Sequence, residues 1–154
     1  MAKNIFIAIL LILQSNIGLA QTKPPAFDTD RLTAIVSNFT RLAYTKSDMD
    51  SLIGYMGFPL YIHEGKAKRV FASAVEMRKE LQKKYKREKF NAVGYLIDSI
   101  SSPSLCPLPD LKARTCICLT AHVVLPEIGN GVSLMTTFYL DRRAPYKVIA
   151  TVNH

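Results

Sequence analysis

Three histidines and three cysteines, set among scattered carboxylates, are the side chains of this chain best suited to acid–base, nucleophilic or metal chemistry. His63 ends the apolar stretch Phe58–Ile62 and is followed by Glu64 and Gly65. An imidazole titrates near neutral pH, so a histidine there could act as a general base. A residue beside a glycine turn is usually wet, which makes a polar strand end the simpler reading. Asp98 is the acid inside the otherwise apolar or neutral run NAVGYLIDSI. Sharing the face of Leu96 and Ile100 would turn it inward as a general acid, whereas a bulge near Gly94 would exchange the faces.

Cys116, Cys118 and His122 have the same strand parity, but Cys118 and His122 stand about 13 Å apart along a strand. That is too far for two ligands of one ion at ~2.3 Å, so no metal site is expected. Cys106 could form one disulfide with Cys116 or Cys118, closing a loop of about ten residues and contributing roughly 3 kcal/mol. Cys116 with Cys118 is a poor pair, because residues two apart on one strand point the same way and lie over ~6 Å apart. Glycine-rich phosphate loops, a serine nucleophile elbow and a zinc-protease helix signature are all missing from the sequence. No cofactor is expected.

The elements that must position these residues follow from periodicity. Asp28, Thr29 and Asp30 offer N-caps for a helix carrying Leu32, Ile35, Val36, Phe39, Leu42 and Ala43 at helical spacing. Ser47-Asp48 caps a short second helix with Met49, Leu52, Ile53 and Met56, which Gly57 is expected to stop. Phe58–Ile62 and Arg69–Ala72 flank the turn Glu64-Gly65-Lys66 as a hairpin, with Pro59 confining the first strand to an edge or to its own start. Ser73 and Glu76 fit a capping box for a third helix, whose inner face is Ala74, Met77, Leu81 and Tyr85. Its opposite face is basic, with seven lysines and arginines between Arg78 and Lys89.

Beyond it the period changes to two. Strands are predicted over 90–100, 115–125, 132–140 and 146–152, with 101–114 a proline-bearing loop and turns at 127–131 and 141–145. Ile117, Leu119, Ala121, Val123 and Leu125, with Val132, Leu134, Phe138 and Leu140, form an apolar face for the helices or a cavity. Their alternates are mixed and should face solvent or a partner. Helices gathered at one end of an antiparallel meander imply an α+β fold.

Residues 1–20 read as a secretory signal: Lys3, the apolar run Ile5–Leu13, and Gly18-Leu19-Ala20 before a cleavage point. The run is far short of the ~20 residues that span a bilayer, so no stable membrane anchor is expected. Residues 21–27 are a flexible lead-in with Pro24 and Pro25, and 28–154 form a single domain. The chain would be exported after cleavage near Ala20, to the periplasm of a Gram-negative host or otherwise secreted. The formal charge of +8 falls by one with Lys3. A basic surface admits acidic partners, but export argues against nucleic acid.

The element order, with RVFASAVEMRKEL following a short hairpin, resembles the nuclear transport factor 2-like superfamily over nearly all of 28–152. The resemblance implies a cone: three helices and a hairpin packed on a strongly curved antiparallel sheet, around an apolar pocket. Phe39, Tyr61, Tyr95, Leu119, Leu134 and Phe138 are then the expected pocket lining. It also implies a homodimer through the outer sheet face. In the ketosteroid-isomerase branch a carboxylate base lies near the end of the first hairpin strand, where this chain has His63 and Glu64. The tyrosine that branch keeps on the first helix corresponds to a position near Phe39, which has no hydroxyl. The expectation is therefore a non-catalytic binder of a small apolar or amphipathic ligand, or a protein-interaction domain. The alternatives are a lyase or isomerase using His63 and Asp98 across the pocket, and a basic module that contacts the cell envelope.

Overall fold

The computed structural model describes residues 26–46, 48–87, 94–109, 111–126 and 131–154. The expected signal segment and most of the expected lead-in lie outside the described residues, as do parts of the expected 90–100 strand and 127–131 turn. No described helix is long and apolar enough to cross a membrane.

Helix α1 runs Thr29–Thr45 and begins where the Asp28 carboxylate accepts the Arg31 N–H at 3.1 Å. That bond satisfies one of the helix's orphan donors. Helix α2, Met49–Gly54, is capped in the same way by Asp48, which accepts the Ser51 N–H at 2.9 Å. These bonds from Ser51 hold the Asp48 carboxyl below the usual carboxylate range. Any stability this cap contributes is therefore present above that range and is lost as the pH falls from it through the lowered value of the folded state.

Strands β1 (Met56–Glu64) and β2 (Ala67–Phe71) form the expected hairpin. Helix α3, Ala74–Arg87, starts on a modified capping box. Ser73 Oγ accepts the Glu76 N–H at 3.3 Å, but the Glu76 carboxylate reaches past Ser73 to the Ala72 N–H at 2.7 Å.

Strands β3 (Leu96–Ile100), β4 (Ser104–Leu108), β5 (Leu111–Leu125), β6 (Val132–Leu140) and β7 (Val148–Asn153) complete the sheet. Its order is β2-β1-β7-β6-β5-β3, and β4 also pairs with β5. The result is a large, curved, unclosed sheet with the helices on one face.

Three features depart from the sequence-based expectation. First, the sheet is mixed, because β1 runs parallel to β7. The first and last strands meet side by side, and the helix–hairpin excursion and the meander lie between them. Second, 104–108 is a strand, not a loop. β3 pairs with the 121–124 part of β5 and β4 with its 111–118 part, end to end along one side. Pro107 is tolerated because β4 has no other neighbour among the described strands, which leaves the side without a donor unpaired in the sheet. Between the two strands Ser101 supplies the missing pairing, its N–H donating to the Thr120 carbonyl and its Oγ accepting the Thr120 N–H, both at 2.9 Å.

Third, α2 stops at Gly54, and Gly57 lies within β1. A Cβ at Gly57 would stand 2.9 Å from Ile149 Cγ2 and 3.0 Å from Lys147 Cβ, so glycine here permits the close approach of β1 and β7. Gly57→Ala should therefore cost about 1–3 kcal/mol by overpacking, read as a lower urea midpoint at unchanged slope. Pro59, expected at an edge or among the first residues of its strand, is the fourth residue of an interior strand, at a point where the ladders lapse. Pairing with β2 starts at Leu60, and pairing with β7 jumps from Met56 to Tyr61.

The apolar face assigned to β5 is buried: Ile117, Leu119, Ala121, Val123 and Leu125 are each at most 7% exposed. With Phe138 and Leu140 of β6 it packs against Leu32, Val36, Phe39 and Leu42 of α1 and Met77 and Leu81 of α3. Fully burying each such leucine or phenylalanine contributes about 1.5–3 kcal/mol, so this layer is the main stabilising element of the domain. The basic face of α3 is solvated where described, and Arg78 pairs with Asp50 of α2.

Candidate functional site

Between the helices and the sheet lies a cavity of about 420 Å³. That is within the size range of small-molecule pockets. Its helical wall is Phe39, Ala43 and Tyr44 of α1, Leu52 of α2, and Met77, Leu81 and Tyr85 of α3. Its sheet wall is Met56, Leu60 and Ile62 of β1, Val123 and Leu125 of β5, and Leu134 and Phe138 of β6. Phe39 and Phe138 meet edge to face across it, with centroids 5.5 Å apart at 73°.

Most of the polar lining sits at or near the ends of elements. Lys46 caps α1 and holds its ammonium 5.4 Å over the Tyr85 ring. Lys84 lies in the last turn of α3, Glu64 ends β1, and Asn153 ends β7. Glu64 and Asn153 are register partners, and Thr136 Oγ1 donates to Asn153 Oδ1 at 2.9 Å. Arg69 joins Glu64, at 2.6 Å, to Glu80 of α3, at 3.1 Å. Burial pushes the Tyr44 phenol up, so it stays protonated and can donate a hydrogen bond into the cavity.

Of the pocket lining expected from sequence, Phe39, Leu134 and Phe138 are present. Leu119 is instead sealed in the core, Tyr95 stacks outside the lining on Tyr44 at 5.5 Å, and Tyr61 belongs to a second cluster on the far face of the sheet. Strand alternation explains Tyr61 and also displaces His63. Leu60, Ile62 and Glu64 point into the cavity, so Tyr61 and His63 point away from it. Glu64, the neighbour of the expected base, is the acidic residue that lines the pocket.

Asp98 is likewise outside. Its carboxylate meets His122 Nδ1 at 2.8 Å, and His122 lies between the inward-facing Ala121 and Val123. A register shift between Ile97 and Ser99 places it there. Four strand spacings separate β1 from β3, so His63 and Asp98 are on the order of 19 Å apart across the outer face. The two residues share no cavity, and the paired acid–base arrangement expected of a lyase or isomerase is not formed by them.

Strand periodicity alone does not reveal the network around His122. Asp98 holds its Nδ1, and its Nε2 meets Ser133 Oγ. Farther along the same face Thr120 Oγ1 and Thr137 Oγ1 meet at 3.0 Å, and Thr137 meets His154 Nε2 at 3.0 Å. Asp98 is 55% exposed, and the cavity between helices and sheet is not lined by Asp98, His122 or Ser133, so the order Asp–His–Ser forms a polar cross-strand ladder. A double-mutant cycle with Asp98→Ala and His122→Ala should give only about 0.2–1 kcal/mol of coupling in chemical denaturation. Among the described residues no three histidines, cysteines or acids are grouped to hold a metal ion.

No protein-family model matches the chain, and no curated protein matches it. Solved structures do. A nuclear transport factor 2-like protein of unknown function from Shewanella oneidensis superposes with a TM-score of 0.56 at 11% identity, covering 82% of this chain and 98% of that one. Aln2 from a Streptomyces species gives 0.55 at 10% identity, with 86% and 94% covered. The beta subunit of benzoate 1,2-dioxygenase from Burkholderia mallei gives 0.54 at 10%, with 83% and 90% covered. At such identities the likeness is one of fold, and the fold is nuclear transport factor 2-like.

Proposed function

We propose that this chain, with its nuclear transport factor 2-like fold, is a non-catalytic domain that binds one apolar or amphipathic small molecule between its helices and sheet. The observation that carries the reading is the cavity of about 420 Å³, aliphatic and aromatic on both walls. An apolar body inside it would be desolvated at about 25 cal/mol per Å². Lys46, Lys84, Glu64, Asn153 and the Tyr44 hydroxyl could then fix a polar end. The non-catalytic part is supported by His63 and Asp98 facing away from the cavity, and by a phenylalanine where the isomerase branch has a hydroxyl.

The test uses 1-anilinonaphthalene-8-sulfonate on the folded chain, together with native mass spectrometry of protein purified from its own host. Saturable binding of one probe per chain and a small-molecule adduct on the native protein support the reading. Probe fluorescence that never saturates, with no adduct, would overturn it.

The proposal also includes export after removal of the leader near Ala20, and pairing of two copies through the outer sheet face, where Met135 is 49% exposed between Ser133 and Thr137. N-terminal sequencing of the native protein and light scattering in solution check these two points.

A further inference from the structure

The three thiols lie together on the outer face, at the β4–β5 edge. Cys106 stands directly opposite Cys116, and Ser104 directly opposite Cys118. Cys116 Sγ donates to the Cys106 carbonyl at 3.3 Å, while Cys118 Sγ lies 3.2 Å from Ser104 Oγ. Cys106 thus shares its face with Cys116 directly opposite and with Cys118 on the diagonal.

Opposed residues of an antiparallel pair share a face, with Cβ atoms about 4.5–5.5 Å apart, and long side chains of diagonal neighbours are also within reach. A disulfide needs a Cβ separation near 3.5–4.5 Å, so slight closing suffices from Cys106 to Cys116, whereas Cys118, the diagonal neighbour at about 7–8 Å, is reached only when β4 shifts along β5. Cys116 and Cys118, by contrast, are about 6.6 Å apart along one extended strand with parallel side chains. They cannot bond to each other without breaking the strand.

We propose that Cys106 is the obligatory member of a single disulfide that exchanges between Cys116 and Cys118. Cys116 is sealed among Leu108, Ile149 and Ala150, whereas Cys106 and Cys118 are half-buried and open to an oxidant.

With a disulfide oxidant R–S–S–R, the Cys118 thiolate attacks one sulfur, forms a mixed disulfide and releases RSH. Cys106 then attacks the Cys118 sulfur and a second RSH leaves. Two S–H groups are lost from the protein and two RSH molecules are formed. Attack by the Cys116 thiolate on the Cys106 sulfur next transfers the bridge and returns Cys118 to the thiol, with no further oxidant. Burial raises the Cys106 and Cys116 thiols above their ordinary range, so the exchange is slow at neutral pH. The bridge pins β4, whose one neighbour among the described strands is β5.

The full chain and its Cys106→Ser, Cys116→Ser and Cys118→Ser variants are treated with oxidised glutathione, acid-quenched and alkylated. The monomer is then analysed by intact mass and peptide mapping. In the parent, one internal bridge, found in both connectivities, and one remaining sulfur are expected. Cys116→Ser and Cys118→Ser each keep an internal bridge and lose the odd thiol. Cys106→Ser forms none, its two sulfurs remaining alkylatable or glutathionylated. An internal bridge in Cys106→Ser overturns the proposal, as does its loss in either other variant or a parent that stays fully reduced. Cys118→Ser, altered at a half-buried site, keeps the test valid should Cys116→Ser fold poorly.

Discussion

Replacing Phe138 by alanine should destabilise the domain by about 3–5 kcal/mol. The ring is 4% exposed, two residues from the end of β6, opposite Leu119 of β5 and Thr151 of β7. Its edge-to-face contact with Phe39 joins the sheet to α1. Because the ring already borders the cavity, truncation enlarges an existing void that its neighbours do not collapse to fill, and the cost should lie toward the upper end of that range. Domains of this size keep only about 5–15 kcal/mol in total, so a large fraction of the stability is at stake. Urea denaturation should show the loss as a lower midpoint with an unchanged slope. Adding Phe39→Ala in a double-mutant cycle should reveal a coupling of about 0.5–1.5 kcal/mol. A loss below ~1 kcal/mol in the single variant would mean that this pair does not hold the helices to the sheet.

The inner layer containing Phe138 could be read from the chain because it depends on local period alone. An unbroken apolar alternation over β5 and most of β6 has only one face to bury, and the stripes of α1 and α3 have only that face to meet. What depends on pairing between distant segments could not be read. The parallel contact of β1 with β7 involves the two ends of the domain, and no residue of either strand announces it. Pro107 and Pro109 made β4 look like a loop, because a proline is excluded from a central strand but not from one with a single neighbour.

The site shows the same division. Phe39, Leu134 and Phe138 lie on apolar faces that periodicity marks, and the resemblance added the pocket they line, whereas His63 and Glu64 differ by one residue and therefore by a whole face of the sheet. That choice is made by the register with β2 and β7. Likewise, His122 meets Asp98 and Ser133 only because three strands are in a particular register, and a bulge between Ile97 and Ser99 completes it.

Leu134→Trp should remove the binding capacity of the cavity while leaving the fold in place. Leu134 lines the pocket from β6, opposite Val123 and two residues from Thr136, and is only half-buried because the space before it is empty. Large side chains destabilise when they are forced into filled cores, at about 1–3 kcal/mol. Here the indole has a void to enter, so the denaturation midpoint should move by less than ~1 kcal/mol. A ligand that needs that volume loses it. The affinity for 1-anilinonaphthalene-8-sulfonate should fall at least ~10-fold, which is about 1.4 kcal/mol. Two companions distinguish occupancy from general damage. His63→Ala, altered on the opposite face, should leave the affinity within about twofold. Glu64→Gln, altered at a polar group of the lining, should shift it by a measurable amount, because a polar end positioned among Glu64, Asn153 and the two lysines responds to the loss of one charge. If Leu134→Trp folds and binds the probe as the parent does, the probe lies elsewhere, and the cavity is not the binding site.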